Sequence, residues 1–290
     1  MRAARARPQR PPPLFPRRPP VPRLRSPAAT KADGLRARPW TGAPPEAAAL
    51  AALLARTGAL PHGPVDEETA IWVGGEGGEG ETGVGRTAPA APASTLSPPG
   101  PQFLRDRNLD VDAAVNKLAR YLAWRADVRP HELTADDVAA EAATGKAYLH
   151  PFPDAAGRPA VVIRCAKHVI GAAPLRKSVE LASTVLDAAV ASLPPDSETL
   201  VGIFDLRGFG PRNADLAFAR FLVDACFLYY PRRLGAVLFV DAPWAFKPVW
   251  AVVRPLLKKY AALVAFVSAD DVVASFKPGE APADFARSKL

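Results

Sequence analysis

Cysteine, methionine and histidine are scarce in this 290-residue chain: two, one and four residues respectively. Cys165 and Cys226 each sit in an apolar segment, which predicts buried thiols in a reducing compartment and not a disulfide framework. The histidines, 62, 131, 150 and 168, show no metal-ligand spacing. No uninterrupted apolar run reaches the ~18 residues of a membrane-spanning helix. The opening MRAARARPQRPPPLFPRRPP lacks the apolar centre of a secretory signal. Acidic residues are scarce too, but only at one end. Residues 1–58 carry twelve Arg or Lys against Asp33 and Glu46, whereas the rest is nearly neutral at −2. The +8 net charge therefore belongs to a tail, which argues against a folded nucleic-acid-binding surface and for no nucleic-acid partner.

What is abundant is proline, 33 in all, with nine in the first thirty residues. Residues 1–45 read as a basic, Pro/Arg-rich disordered arm or organelle transit segment, acid-poor but also poor in serine. The location expected is intracellular: cytoplasmic, or plastid or mitochondrial if that segment is a transit peptide. Residues 46–101 read as a low-complexity linker with a short helix near EAAALAALLARTGAL. By composition, residues 1–100 are expected to bury no core and to be dispensable. The linker holds a GxGxxG match at Gly75, Gly77 and Gly80, but prolines follow where a helix would have to receive a pyrophosphate.

From Gln102 the pattern is that of a folded chain. Asp110 is a good N-cap for a helix with apolar positions from Val111 to Val128, and Thr134 with Asp137 caps a second. These two helices place a helical N-terminal lobe at 102–145. Strand-like runs follow in 159–165, 199–205, 235–241 and 262–268, separated by helical stretches near 174–193, 213–229 and 245–257. Such alternation predicts an α/β fold with a mostly parallel sheet over 146–290.

Chemistry is hard to find. A nucleophile elbow, a P-loop and a HExxH pair are absent. His168 follows a strand, where a base could sit, yet no Ser or Cys is evidently paired with it. Asp205 and Asp241 end strands, and they read as caps, Asp205 of the DLRGFG turn and Asp241 of the helix entered at Pro243. The sequence calls for no metal and no cofactor. It does carry apolar bulk: Phe246, Val249, Trp250, Val253 and Leu257 form one helical stripe with Lys247, Arg254 and Lys258 off it. That stripe suits either a core helix or a hinged lid over an apolar cavity.

Five stretches in order, FLRDRNLDVDAAVNKLARYLAWR, DAAGRPAVVIR, IFDLRGFG, YYPRRLGAVLFVDAPWAF and SFKPGEAPADF, resemble the CRAL-TRIO lipid-binding domains of the phosphatidylinositol/phosphatidylcholine transfer-protein type. The resemblance covers Gln102 to about Ala286. It implies a helical lobe and a sheet with a large apolar cavity closed by a gate helix near 245–257. It also implies a non-enzymatic monomer that carries one phospholipid or isoprenoid and contacts membranes peripherally. On this reading Arg107 is a candidate headgroup contact. Val162, Phe204, Phe209, Phe221, Leu238, Trp244, Phe246, Val249, Trp250 and Val253 are candidates for the cavity or gate. Lys247, Lys258 and Lys259 are candidates for membrane contact. Three departures argue against phosphoinositide preference: Asn108 in an Arg-Lys pair, Arg232 in place of a Glu, and Val264 near an expected lysine. The helix that usually precedes FLR is expected to be missing. Two alternatives stand beside the carrier: a pocket-less interaction module of the same fold, and a hydrolase-like enzyme using His168 or the two aspartates.

Overall fold

A computed structural model describes residues 43–57, 100–194 and 197–286. The transit-segment and GxGxxG expectations fall outside these residues.

Among the described residues, four α-helices make the N-terminal lobe: α1 (Pro44–Thr57), α2 (Gly100–Asp106), α3 (Val111–Val128) and α4 (Ala135–Ala143). The caps are those read from sequence. The Asp110 carboxylate accepts from the Ala113 amide at 3.0 Å, and Thr134 and Asp137 form a reciprocal capping box. Helix α1 departs from expectation. Its Leu50 and Leu53 are buried in one cluster with Phe103, Leu104 and Leu118. Residues 44–57 therefore do bury a core, and a helix ahead of FLR is present. The composition misled because this short apolar stretch is flanked by long polar tracts.

The sheet has five strands in the order β1-β2-β3-β4-β5: Ala147–Leu149, Ala160–Arg164, Leu200–Asp205, Leu234–Val240 and Val264–Val267. Strand β1 is antiparallel to β2, and the other pairs are parallel. Helices α5 (Leu175–Ala191), α6 (Leu216–Asp224) and α7 (Lys247–Leu257) are the crossovers. Each steps to the next strand in the same direction. Right-handed connections then place all three on one face. That face gathers Val161, Leu200, Val237 and Phe239 with Ala189, Val223 and Val249. The opposite face gathers Val162, Val201, Ile203 and Val240 under Val272 of α8 (Ala269–Ala274), Phe276 and Phe285.

Lobe and sheet unit are joined by aromatic and ionic contacts. Trp124 lies on Tyr229, and Arg125 donates to Asp187 at 2.7 Å while the Tyr230 hydroxyl donates to the same carboxylate. Gly235, the second residue of β4, has no room for a side chain: a Cβ there would stand 2.6 Å from the Thr199 hydroxyl oxygen.

Candidate functional site

The helix-bearing face of the sheet encloses empty space. A cavity of about 100 Å³ lies under α6 and α7, and a smaller one of about 30 Å³ lies toward α5. Ile163, Phe204, Phe218, Leu222, Cys226 and His168 border both. Phe246, Val249, Val253 and Leu257 are buried on the inward side of α7 and close the larger one. These walls are mostly apolar, and the enclosed volume is below the ~300–1,000 Å³ of ordinary ligand pockets.

Of the candidates read from sequence, Phe204, Phe209, Phe246, Val249 and Val253 border the larger cavity. Val162 and Leu238 do not. Successive strand residues face opposite ways, so Val162 and Leu238 pack on the far face under α8 while Val161, Val237 and Phe239 face α5–α7. Phe221 packs toward the helical lobe. Trp244 is 75% exposed. Trp250 is half-buried outside the cavity, edge-on to Phe239 and Phe266 at 5.5 and 5.3 Å. It borders a surface concavity with Lys247, Arg254 and Lys258. The side chain of Lys259 lies outside the described residues. Arg107 is 43% exposed, pairs with Asp106 at 3.5 Å and borders none of these spaces.

The two strand-end aspartates are structural, though one is so in a different way from that expected. Asp205 accepts from the amide, Nε and Nη2 of Arg207, which closes the DLRGFG turn. Asp241 accepts from the Ala269 amide at 3.3 Å and so supports α8. It does not cap the turn at Trp244, which has no side-chain cap. Pro243 starts that turn with φ already fixed near its helical value, and Asp241 itself takes a left-handed φ of 46°.

Sequence reasoning left His168 alone; the structure gives it a partner. Its Nε2 lies 3.1 Å from Asp215 Oδ2, and its ring stacks on Phe218 with centroids 4.5 Å apart. Asp215 is also the N-cap of α6, accepting from Phe218 N at 3.0 Å. Burial alone would raise the Asp215 carboxyl, but the Phe218 amide and the His168 ring outweigh it and hold it below its ordinary value. A signal was available in NADLAF, where Asp215 reads as a cap; the pairing with His168 needs the fold. Neither thiol at the cavity hydrogen-bonds to His168, and burial pushes both Cys165 and Cys226 up to about 12. A nucleophile needs the thiolate, so this is no Cys–His pair.

These features coincide with a known domain. Residues 142–277 match the family model of the CRAL/TRIO domain. The sheet unit is thus similar to a CRAL/TRIO domain. The match runs from the end of α4 to just past Phe276, so it takes in the whole sheet and its crossovers. An Eremothecium gossypii protein named phosphatidylinositol transfer protein CSR1 is 28% identical over 192 residues, 62% of this chain and 44% of its own. A Schizosaccharomyces pombe CRAL-TRIO domain-containing protein, C3H8.02, is 25% identical over 195 residues, 60% of this chain and 44% of its own. The chain thus spans less than half the length of these curated relatives. A crystal structure of Sfh5 superposes with a TM-score of 0.50 at 14% identity, covering 60% of this chain and 65% of that one. That likeness supports the fold: a mostly parallel sheet backed by helices.

Proposed function

We propose that this CRAL/TRIO-like protein is a non-enzymatic lipid carrier that holds one lipid between its sheet and α7. The observation that carries this reading is the inward stripe of Phe246, Val249, Val253 and Leu257 over a cavity with apolar walls. An acyl or isoprenoid chain needs such walls and few polar anchors. Helix α7 acts as a gate. Asp241 and Lys258, on either side of it, hold φ of 46° and 49°, conformations that cost non-glycine residues energy and suit hinge positions. Around the gate, Trp244, Leu216 and Val252 are exposed, with Lys247 and Lys258 nearby. Amphipathic rings beside cations favour an anionic membrane surface. The carrier works as a monomer, and its lipid is extracted and released unchanged.

A second reading draws support from the same cavity. At about 100 Å³ it is too small for a whole lipid while α7 is closed, as a pocket-less interaction module of this fold would also be. Purifying the full chain and extracting it for mass spectrometry separates the two. One lipid per chain, together with uptake from liposomes, is the outcome expected of the carrier. Recovery of no lipid and no uptake would select the module.

A further inference from the structure

The cavity walls contain few polar side chains, and nearly all of these are committed within the protein. Lys146 and Ser178 bond one another at 2.9 Å, and Glu141 binds both. Asn213 donates to the carbonyls of Ala166 and His168 and accepts from the Gly210 amide. Asp215 accepts from Phe218 and His168. His168 differs. It is 8% exposed and borders both cavities, yet its Nδ1 is buried without a hydrogen-bond partner. A buried nitrogen left unpaired is costly, so its partner is to be sought in what fills the cavity.

The chemistry of that partner follows from the other side of the ring. A carboxylate only accepts hydrogen bonds, so Asp215 fixes the proton of His168 on Nε2. In the neutral ring Nδ1 then offers a lone pair and nothing else. It matches a donor, and among lipids the common uncharged donor is a hydroxyl. Esters, ethers, ketones and phosphodiesters offer only acceptors there, and a phosphate would also bring charge into apolar walls. Resting on the carrier reading above, we propose that His168 Nδ1 accepts a hydrogen bond from the hydroxyl of an uncharged lipid alcohol. His168 is thereby the specificity-determining residue of the cavity, held in tautomer and orientation by Asp215 and Phe218.

The test loads the full chain with octadecan-1-ol or octadecyl methyl ether, which share a chain and differ in the hydroxyl proton. The wild type should retain the alcohol roughly tenfold better, the size of one hydrogen bond to an otherwise unpaired buried group. His168→Phe keeps an aromatic face for Phe218 and should bring the ratio to about one. Equal retention by the wild type, or an unchanged preference in His168→Phe, overturns the assignment. Should that variant fold poorly, nitrogen NMR of the wild type answers instead. With four histidines in the chain, the His168 Nδ1 signal can be assigned. It should shift toward the hydrogen-bonded value with the alcohol and stay put with the ether; no difference between them overturns the proposal. If the chain takes up phospholipid but neither probe, this inference alone fails. If it takes up none of the three, the carrier reading fails with it.

Discussion

Trp124 of the helical lobe lies flat on Tyr229 at the end of the α6 segment, with ring centroids 4.4 Å apart and planes 8° from parallel. Next to this stack, Arg125 and Tyr230 share the Asp187 carboxylate. The AWR and YYP stretches, far apart in sequence, thus form one joint between lobe and sheet unit. Truncating Trp124 to Ala removes a buried ring, and such changes typically cost ~3–5 kcal/mol. Trp124→Phe keeps part of the stack and should lose less than half of that. Urea unfolding of both variants checks the order; a Trp124→Ala protein as stable as wild type would dissolve the joint.

The same lobe sets where the chain can be shortened. Leu53 is 1% exposed and packs with Phe103 and Leu118. Removing residues 1–43 should leave stability and lipid uptake unchanged. Removing residues 1–57 should destabilise, since Leu50 and Leu53 each contribute ~1.5–3 kcal/mol by burial. If the longer deletion unfolds at the same denaturant concentration as the shorter, α1 does not belong to this core.

Much of this was legible from residues alone. Strands β2 to β5 showed as apolar runs, and the caps at Asp110 and Thr134 showed as residue types in the right place. Strand β1 did not, because three residues, AYL, are too few to make a pattern. The face of each strand was hidden for a physical reason. Parallel strands covered on both sides are apolar throughout, so Val161 and Val162 look alike in sequence yet lie on opposite sides of the sheet. The His168–Asp215 pair was illegible because it joins the ends of two different elements, 47 positions apart.

Alkaline pH should loosen the protein. Burial holds the thiols of Cys165 and Cys226 near 12, against an ordinary value of 9.0, and holds Tyr121 near 12 against 10.0. Between those values the native state keeps protons that the unfolded chain releases. Stability is therefore full below pH ~9 and declines as pH rises toward ~12. The urea midpoint should fall steadily from pH ~8.5 to ~10.5. The double variant Cys165→Ala, Cys226→Ala should fall less steeply over the lower part of that range. A midpoint indifferent to pH would contradict the thiol burial.

Phosphatidylinositol should not be favoured in competitive loading from mixed liposomes. Val264, near the position where the resemblance leads one to expect a lysine, borders the cavity as an apolar wall. Arg232 stands where a Glu is usual and is itself partly buried beside Arg105 and Asp106, with burial, then Arg105, lowering its pKa. A headgroup phosphate without its cation would remain poorly paired, at ~1–3 kcal/mol or more. Strong enrichment of phosphatidylinositol in the loaded protein would mean that Arg232 or a neighbour has taken over the anchoring.

The proposed gate is best told from a core helix at Trp250. Its ring stands outside the cavity, packed edge-on to Phe239 and Phe266, and Phe266 is itself 52% exposed. Val253, one turn further, points inward and is 8% exposed. If α7 opens, Trp250 moves with it and meets the bilayer, while Val253 uncovers the cavity. Trp250→Ala should then slow lipid transfer between liposomes severalfold and lower the melting temperature only modestly, because the ring is already partly in water. Val253→Ala should do the reverse in part, costing stability as any buried truncation does while leaving membrane docking intact. A rigid core helix would give a different pair of results: both variants would lose stability, and transfer would follow the amount of folded protein. Transfer at the wild-type rate by a well-folded Trp250→Ala chain would leave the gate without its membrane contact.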